Sequence, residues 1–168
     1  DRTDAAGIMD DIADRSLGGV VLFDIDGPSG QPQRNIVSSE QVQALTGDLQ
    51  AAGSQACAVV DGATPPLLIA ADQEGGQVRR FKERHGFPMA SSAQKLGRRN
   101  DLNATLEEAT TMARSLAACG VNLNLAPVVD LDTNPANPVI GQKERSYSDD
   151  PELVTAHASA FIQAHRQE

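Results

Sequence analysis

Two short apolar runs without polar alternation, Val20-Val21-Leu22-Phe23 and Leu67-Leu68-Ile69-Ala70-Ala71, constrain this chain most. A strand with one face in water alternates apolar and polar residues, whereas an unbroken apolar run suits a strand covered on both faces, as in sheets flanked by helices. Each run follows a helical pattern. Ile8, Met9 and Ile12 lie at helical spacing after Asp4, and the pattern stops at Gly18-Gly19, which predicts a helix over 4–16. Ser38 with Gln41 fits a capping box, and Val42, Leu45 and Leu49 mark one face until Gly53, which predicts a helix over about 38–52.

The same grammar continues downstream. Leu102, Leu106, Ala109, Ala113 and Leu116 repeat at spacings of three and four between a capping Asp101 and a terminating Gly120, predicting a helix over about 101–119. Val121, Leu123 and Leu125 alternate with Asn122 and Asn124, so the third strand has a polar face whose amides are placed to line a pocket. Asp150-Pro151-Glu152 supplies cap, first-turn proline and first-turn acid for a last helix striped by Leu153, Ala156, Ala160, Phe161 and Ala164. The order αβαβαβα implies an α/β fold of parallel strands joined by helical crossovers.

Composition removes several function classes. At 168 residues the chain is one domain or a piece of a larger one, and its net charge of −9 with five aromatics argues against nucleic acid as a partner. No apolar stretch exceeds five residues, far short of a membrane span, and Asp1 begins no signal-peptide pattern. Charge is uneven: Arg79, Arg80, Lys82, Arg84, Lys95, Arg98 and Arg99 face only Glu83, so this segment is either a solvated basic surface or a lure for an anionic ligand. Cys57 and Cys119 sit in no metal-ligand spacing and read as structural thiols; no metal or other cofactor is expected.

In parallel α/β folds the ligand site forms where strands end. The loops after the three strands are Asp24 to Arg34, Asp72 to Arg84 and Asp130 to Arg145, so Asp72, Arg80 and Arg145 are candidates to converge. Asp72-Gln73-Glu74-Gly75-Gly76-Gln77-Val78-Arg79-Arg80 is the densest signal: two carboxylates and two guanidinium groups flank a glycine pair that lets backbone approach a ligand. A sugar suits these groups. An ionised Asp accepts from two adjacent hydroxyls, and Arg donates to ring-substituent oxygens in a fixed fork. Asp72 also fits a helix cap or a structural ion pair, and Asp130, at a strand end, fits either a pocket-facing acid or a buried acid satisfied by loop amides.

The runs LLIAADQEGGQVRRF and GVNLNLAPVVDLDTNPANPVIGQKERSYSDDPELV, together with GGVVLF, resemble the N-terminal domain of glycoside hydrolase family 3 over most of residues 1–168. The DQEGG form looks like the β-N-acetylglucosaminidase branch involved in peptidoglycan turnover; the β-glucosidase branch is the alternative within the family. The resemblance implies parallel βα units of a TIM (β/α)8-type barrel, here an incomplete barrel fragment. It also implies that Asp72 grips sugar hydroxyls while Arg80 and Arg145 hold an N-acetylglucosamine ring at the nonreducing end of a glycan. For Glu74 a turn-stabilising role is expected.

Retaining glycoside hydrolysis needs a nucleophile and a group that protonates the leaving oxygen. In the family these lie on a later His-bearing loop and a later strand-end Asp, so no catalytic residue is assigned between Asp1 and Glu168. His157 and His165 share one face of the last helix and read as packing or surface residues, and His85 is left without a role. The chain is therefore expected to need the remainder of its own barrel. A non-catalytic sugar-binding or assembly module stands as the rival reading. Nucleotide binding and esterase chemistry are disfavoured because GxGxxG, GxxxxGK[ST] and GxSxG are all absent.

Overall fold

A computed structural model describes residues 2–56 and 65–168, with side chains described from residue 7 onward. In chain order the elements are α1 (Arg2–Arg15), β1 (Gly19–Leu22), α2 (Ser39–Ala56), β2 (Leu68–Ala71), β3 (Gln73–Gly75), β4 (Val78–Arg79), a 3-10 turn (Glu83–His85), α3 (Ala93–Arg99), α4 (Leu102–Ala118), β5 (Leu123–Asn124) and α5 (Pro151–Gln167). They fall into two compact units, residues 1–71 with 118–124, and residues 72–117 with 125–168.

The first unit holds the parallel sheet, in the order β1-β2-β5. Gly19 pairs with Leu68 and Leu22 with Ala71, and Ala70 and Ala71 pair with Leu123 and Asn124. A Cβ on Gly19 would lie 2.7 Å from the Leu68 carbonyl oxygen, so this strand start requires glycine. The expected burial on both faces holds for Ile69, Ala70 and Ala71, but Val21 and Phe23 stay exposed opposite buried Leu22. The pleat sends them to one side of the strand. With α1 and α2 they line an open groove of about 890 Å³. Among the described residues the sheet does not close into a barrel.

Gly53, expected to stop α2, instead lies inside it. A Cβ there would come within 3.0 Å of the Leu67 Cβ, so the glycine lets the helix approach the strand. The capping box is half formed: the Ser38 hydroxyl accepts from Gln41 N, whereas Gln41 Oε1 accepts from Val37 N and not from Ser38 N. Asn122 does not line a pocket as expected. Its side chain accepts from Ile69 N at 2.7 Å and donates to Leu67 O at 2.9 Å, extending the β2–β5 ladder by a side chain. Cys119 is buried, its Sγ lies 3.8 Å from Ser39 O, and burial raises its pKa, which fits a structural thiol. Cys57 lies outside the described residues.

The second unit packs α3 against α5 around Ala93, Leu96, Tyr147, Val154 and Ala158. Capping by Asp101 and Asp150 follows the sequence: Asp101 Oδ1 accepts from Ala104 N and Asp150 Oδ1 from Glu152 N. Helix α3 was not expected. It is short and carries Gly97 internally, but Ser92 caps its start and Asn100 ends it in the left-handed conformation. Gly97 is present because the Tyr147 carbonyl packs where a Cβ would stand. His157 is fully buried, stacked on Tyr147, with Nδ1 2.8 Å from the Thr105 hydroxyl.

Candidate functional site

The motif after β2 folds as a tight antiparallel hairpin, β3 against β4, with Gln73 paired to Arg79 and Gly75 to Val78. Successive strand residues point to opposite faces, so Asp72 and Glu74 project one way and Gln73 the other. Gln73 is buried and makes three hydrogen bonds to the returning chain. Its Oε1 accepts from Arg80 N at 2.9 Å and Phe81 N at 3.0 Å, and its Nε2 donates to Phe81 O at 3.0 Å. Those bonds fix the backbone that carries Arg80. Arg80 Nη2 then donates to Asp72 Oδ2 at 2.6 Å, with about a quarter of each side chain exposed. Of the structural roles open to Asp72 in sequence, the ion pair is the one present.

Gly75 and Gly76 both have positive φ, at 99° and 56°. Their freedom serves the protein's own chain rather than a ligand. A Cβ on Gly75 would collide with Ser91 O, one on Gly76 would lie 2.5 Å from the Ser92 Cβ, and Gly76 N donates to Ala90 O at 3.0 Å.

Arg145 arrives from the loop that follows β5. That loop is organised by its own polar groups: Asn137 Oδ1 accepts from Val139 N and Ile140 N, and the single Ser146 hydroxyl lies within hydrogen-bond distance of both Asp130 O and Ser148 O. Gln77 Nε2 donates to Gln142 O at 3.1 Å, joining the loop to the hairpin. Arg145 forms a bidentate pair with Glu74, Nε to Oε2 at 2.8 Å and Nη2 to Oε1 at 2.7 Å. Donation of hydrogen bonds to Glu74 raises the Arg145 pKa, partial burial opposes it, and the charges of Glu74, Asp130 and Asp72 raise it further.

Asp72, Arg80 and Arg145 thus lie in one unit, with Arg80 bonded to Asp72 and Arg145 within reach of its charge. Asp130 is exposed, not the buried acid expected, and its charge also acts on Arg145. The basic segment is partly neutralised within itself and by neighbours: Arg79 bonds Glu83 at 3.0 Å and Gly76 O at 2.8 Å, and Arg99 bonds Asp101 at 3.2 Å. His85 is buried in the 3-10 turn, its Nε2 accepting from Arg84 Nε at 3.0 Å. Sequence reasoning missed Gln73 as an organiser of the site and Glu74 as a partner of Arg145. The alternation of Asp72, Gln73 and Glu74 before a glycine pair was the available signal for a hairpin.

Comparison with known proteins agrees with this arrangement of parallel βα units. A beta-hexosaminidase of Xylella fastidiosa (strain M23) is 36% identical over 161 residues, covering 92% of this chain and 41% of that protein. The crystal structure of the beta-N-acetylhexosaminidase from Beutenbergia cavernae DSM 12333 matches with a TM-score of 0.75 at 35% identity, over 94% of this chain and 44% of that one. A glycoside hydrolase family 3 beta-N-acetylglucosaminidase from Paenibacillus sp. str. FPU-7 matches with a TM-score of 0.79 at 31% identity, over 95% of this chain and 27% of that one. The chain therefore spans well under half the length of these relatives. The glycosyl hydrolase family 3 N terminal domain matches residues 3–168, and the chain, a set of βα units of a TIM-type barrel, belongs to that family.

Proposed function

We propose that this chain forms the sugar-binding wall of a retaining β-N-acetylglucosaminidase that releases terminal N-acetylglucosamine from β-linked glycans such as cell-wall fragments. The observation that carries the reading is the pairing of two carboxylates of one hairpin with two guanidinium groups, Asp72 with Arg80 and Glu74 with Arg145. In that reading Asp72, with an oxygen not taken by Arg80, accepts from adjacent ring hydroxyls, and the arginines donate to ring-substituent oxygens. Cleavage itself proceeds by double displacement, with nucleophile and acid/base supplied by the rest of the barrel.

Similarity to a hexosaminidase and to an N-acetylglucosaminidase favours the acetamido sugar over glucose. The full-length protein is assayed with aryl β-N-acetylglucosaminide and aryl β-glucoside. Preferential hydrolysis of the first is expected, with Asp72→Ala lowering kcat/KM by about a hundredfold or more, since a partly buried charged hydrogen-bond network loses its acceptor. Faster turnover of the glucoside moves the assignment to the β-glucosidase branch. Saturable binding of N-acetylglucosamine without turnover of either supports the sugar-binding module, and wild-type activity in Asp72→Ala removes the role given to that residue.

A further inference from the structure

The bidentate contact between Glu74 and Arg145 asks more of Glu74 than stabilising a turn. Both of its carboxylate oxygens bond Arg145, and only 8% of its side chain is exposed. The hairpin turn is held by other bonds, from Gly76 N to Ala90 O and from Arg79 Nη1 to Gly76 O. Glu74 binds the guanidinium along its Nε/Nη2 edge. Of the remaining donors, Nη1 makes one long contact, 3.4 Å to Val139 O. Arg145 has five N–H groups, so this mode leaves its Nη1/Nη2 end to meet a ligand, with 22% of the side chain exposed.

The backbone beneath Arg145 is fixed as well. Glu144 sits in the left-handed region at φ 56°, its carboxylate accepts from the Ser92 hydroxyl at 2.7 Å, and its carbonyl accepts from Gln94 N at 3.2 Å. Arg145 N donates to Ile140 O at 3.1 Å. The main chain is thus pinned by one set of bonds and the side-chain head by its bidentate pair with Glu74. A long, rotamer-rich arginine that is held before ligand arrives pays less ordering entropy on binding.

We propose that Glu74 is a positioning residue that orients the Arg145 guanidinium so that its end-on N–H groups meet a non-reacting substituent of the bound sugar. The inference rests on the sugar-binding role given to Arg145 above. It is tested in the full-length protein by a cycle of Glu74→Gln, Arg145→Ala and the double variant. The readouts are kcat and KM on the aryl β-N-acetylglucosaminide, the inhibition constant of N-acetylglucosamine, and thermal unfolding.

Glu74→Gln should raise KM and the inhibition constant about tenfold while kcat stays within about threefold, the signature of lost uniform binding. In the double variant it should add less than about twofold to the effect of Arg145→Ala, because the two residues act as one. Multiplying effects, or an unchanged KM in Glu74→Gln, overturn the proposal while leaving the role of Arg145 intact. An unchanged KM in Arg145→Ala overturns both. If Glu74→Gln does not fold, the cycle is run with Glu74→Asp, which keeps the charge and shortens the reach; failure of both to fold makes Glu74 a structural residue and overturns the proposal.

Discussion

Ser92 joins two segments of the second unit with one hydroxyl: it donates to Glu144 Oε2 at 2.7 Å and accepts from Lys95 N at 3.3 Å. The same side chain therefore caps α3 and holds the residue before Arg145. Ser92→Ala should cost about 2 kcal/mol in chemical unfolding of the full-length protein, the sum of a lost cap and a lost charged hydrogen bond. A loss under about 0.5 kcal/mol would show that neither bond contributes as drawn.

The buried Gln73 side chain makes three hydrogen bonds to residues 80 and 81, and its removal leaves the N–H groups of Arg80 and Phe81 without them. Gln73→Leu, similar in volume but unable to bond, should destabilise by about 2–4 kcal/mol. The same variant should also weaken sugar binding, because the backbone under Arg80 loses its tether. Full stability with normal binding would refute the organising role.

Gly97 lies in a helix where glycine is otherwise unfavourable, yet a Cβ there collides with the Tyr147 carbonyl. Gly97→Ala should lower stability by about 1–3 kcal/mol, against the usual gain for such a change in a helix, because α3 must move off the loop. An unchanged or raised Tm would contradict the packing described.

Burial lowers the pKa of His157 from its ordinary 6.5 despite the charge of Asp101, and burial likewise lowers that of His165 despite its bond to Phe161 O. A histidine that resists protonation when folded gives stability that is complete above pH 6.5 and declines as pH falls below it, since the unfolded chain takes up more protons. Acidic groups held below their ordinary values, Asp26, Glu40, Glu83 and Asp101, lose their contribution only at lower pH, under about 4.5. Melting curves between about pH 7.5 and 5.5 should therefore show falling Tm, with a shallower slope in His157→Asn. Equal slopes in both proteins would place the effect elsewhere.

Cys119 is 2% exposed and burial raises its pKa, so its thiolate is scarce at neutral pH. In a Cys57→Ser background, native protein should react with a disulfide reagent far more slowly than urea-unfolded protein. Comparable rates would mean that Cys119 is accessible.

Much of the framework was legible in sequence because its signals are local. Unbroken apolar runs marked β1 and β2, and side chains of Ser38, Asp101 and Asp150 sit at the helix starts they were expected to cap, since capping depends on residues within one turn. Asp72 and Arg80 were legible as candidates to converge because they share one loop, eight residues apart, and the structure joins them by a hydrogen bond. Helix α3 was not, because its internal glycine reads locally as a breaker and is explained only by Tyr147, far along the chain. Asn122 was misjudged on similar grounds: an alternating amide reads as pocket-lining until the backbone of β2 is beside it.

Sequence alone therefore determined the α/β order, the helix caps and the acid-rich motif that follows the second strand, all governed by residues close together along the chain. Tertiary structure alone decided that Glu74 holds Arg145 across 71 residues, that the glycine pair accommodates Ser91 and Ser92, and that Asp130 stays exposed. The physical reason is reach. Propensity and capping act over a few residues, whereas a guanidinium meets its carboxylate only after the packed chain has brought two distant loops within hydrogen-bonding distance.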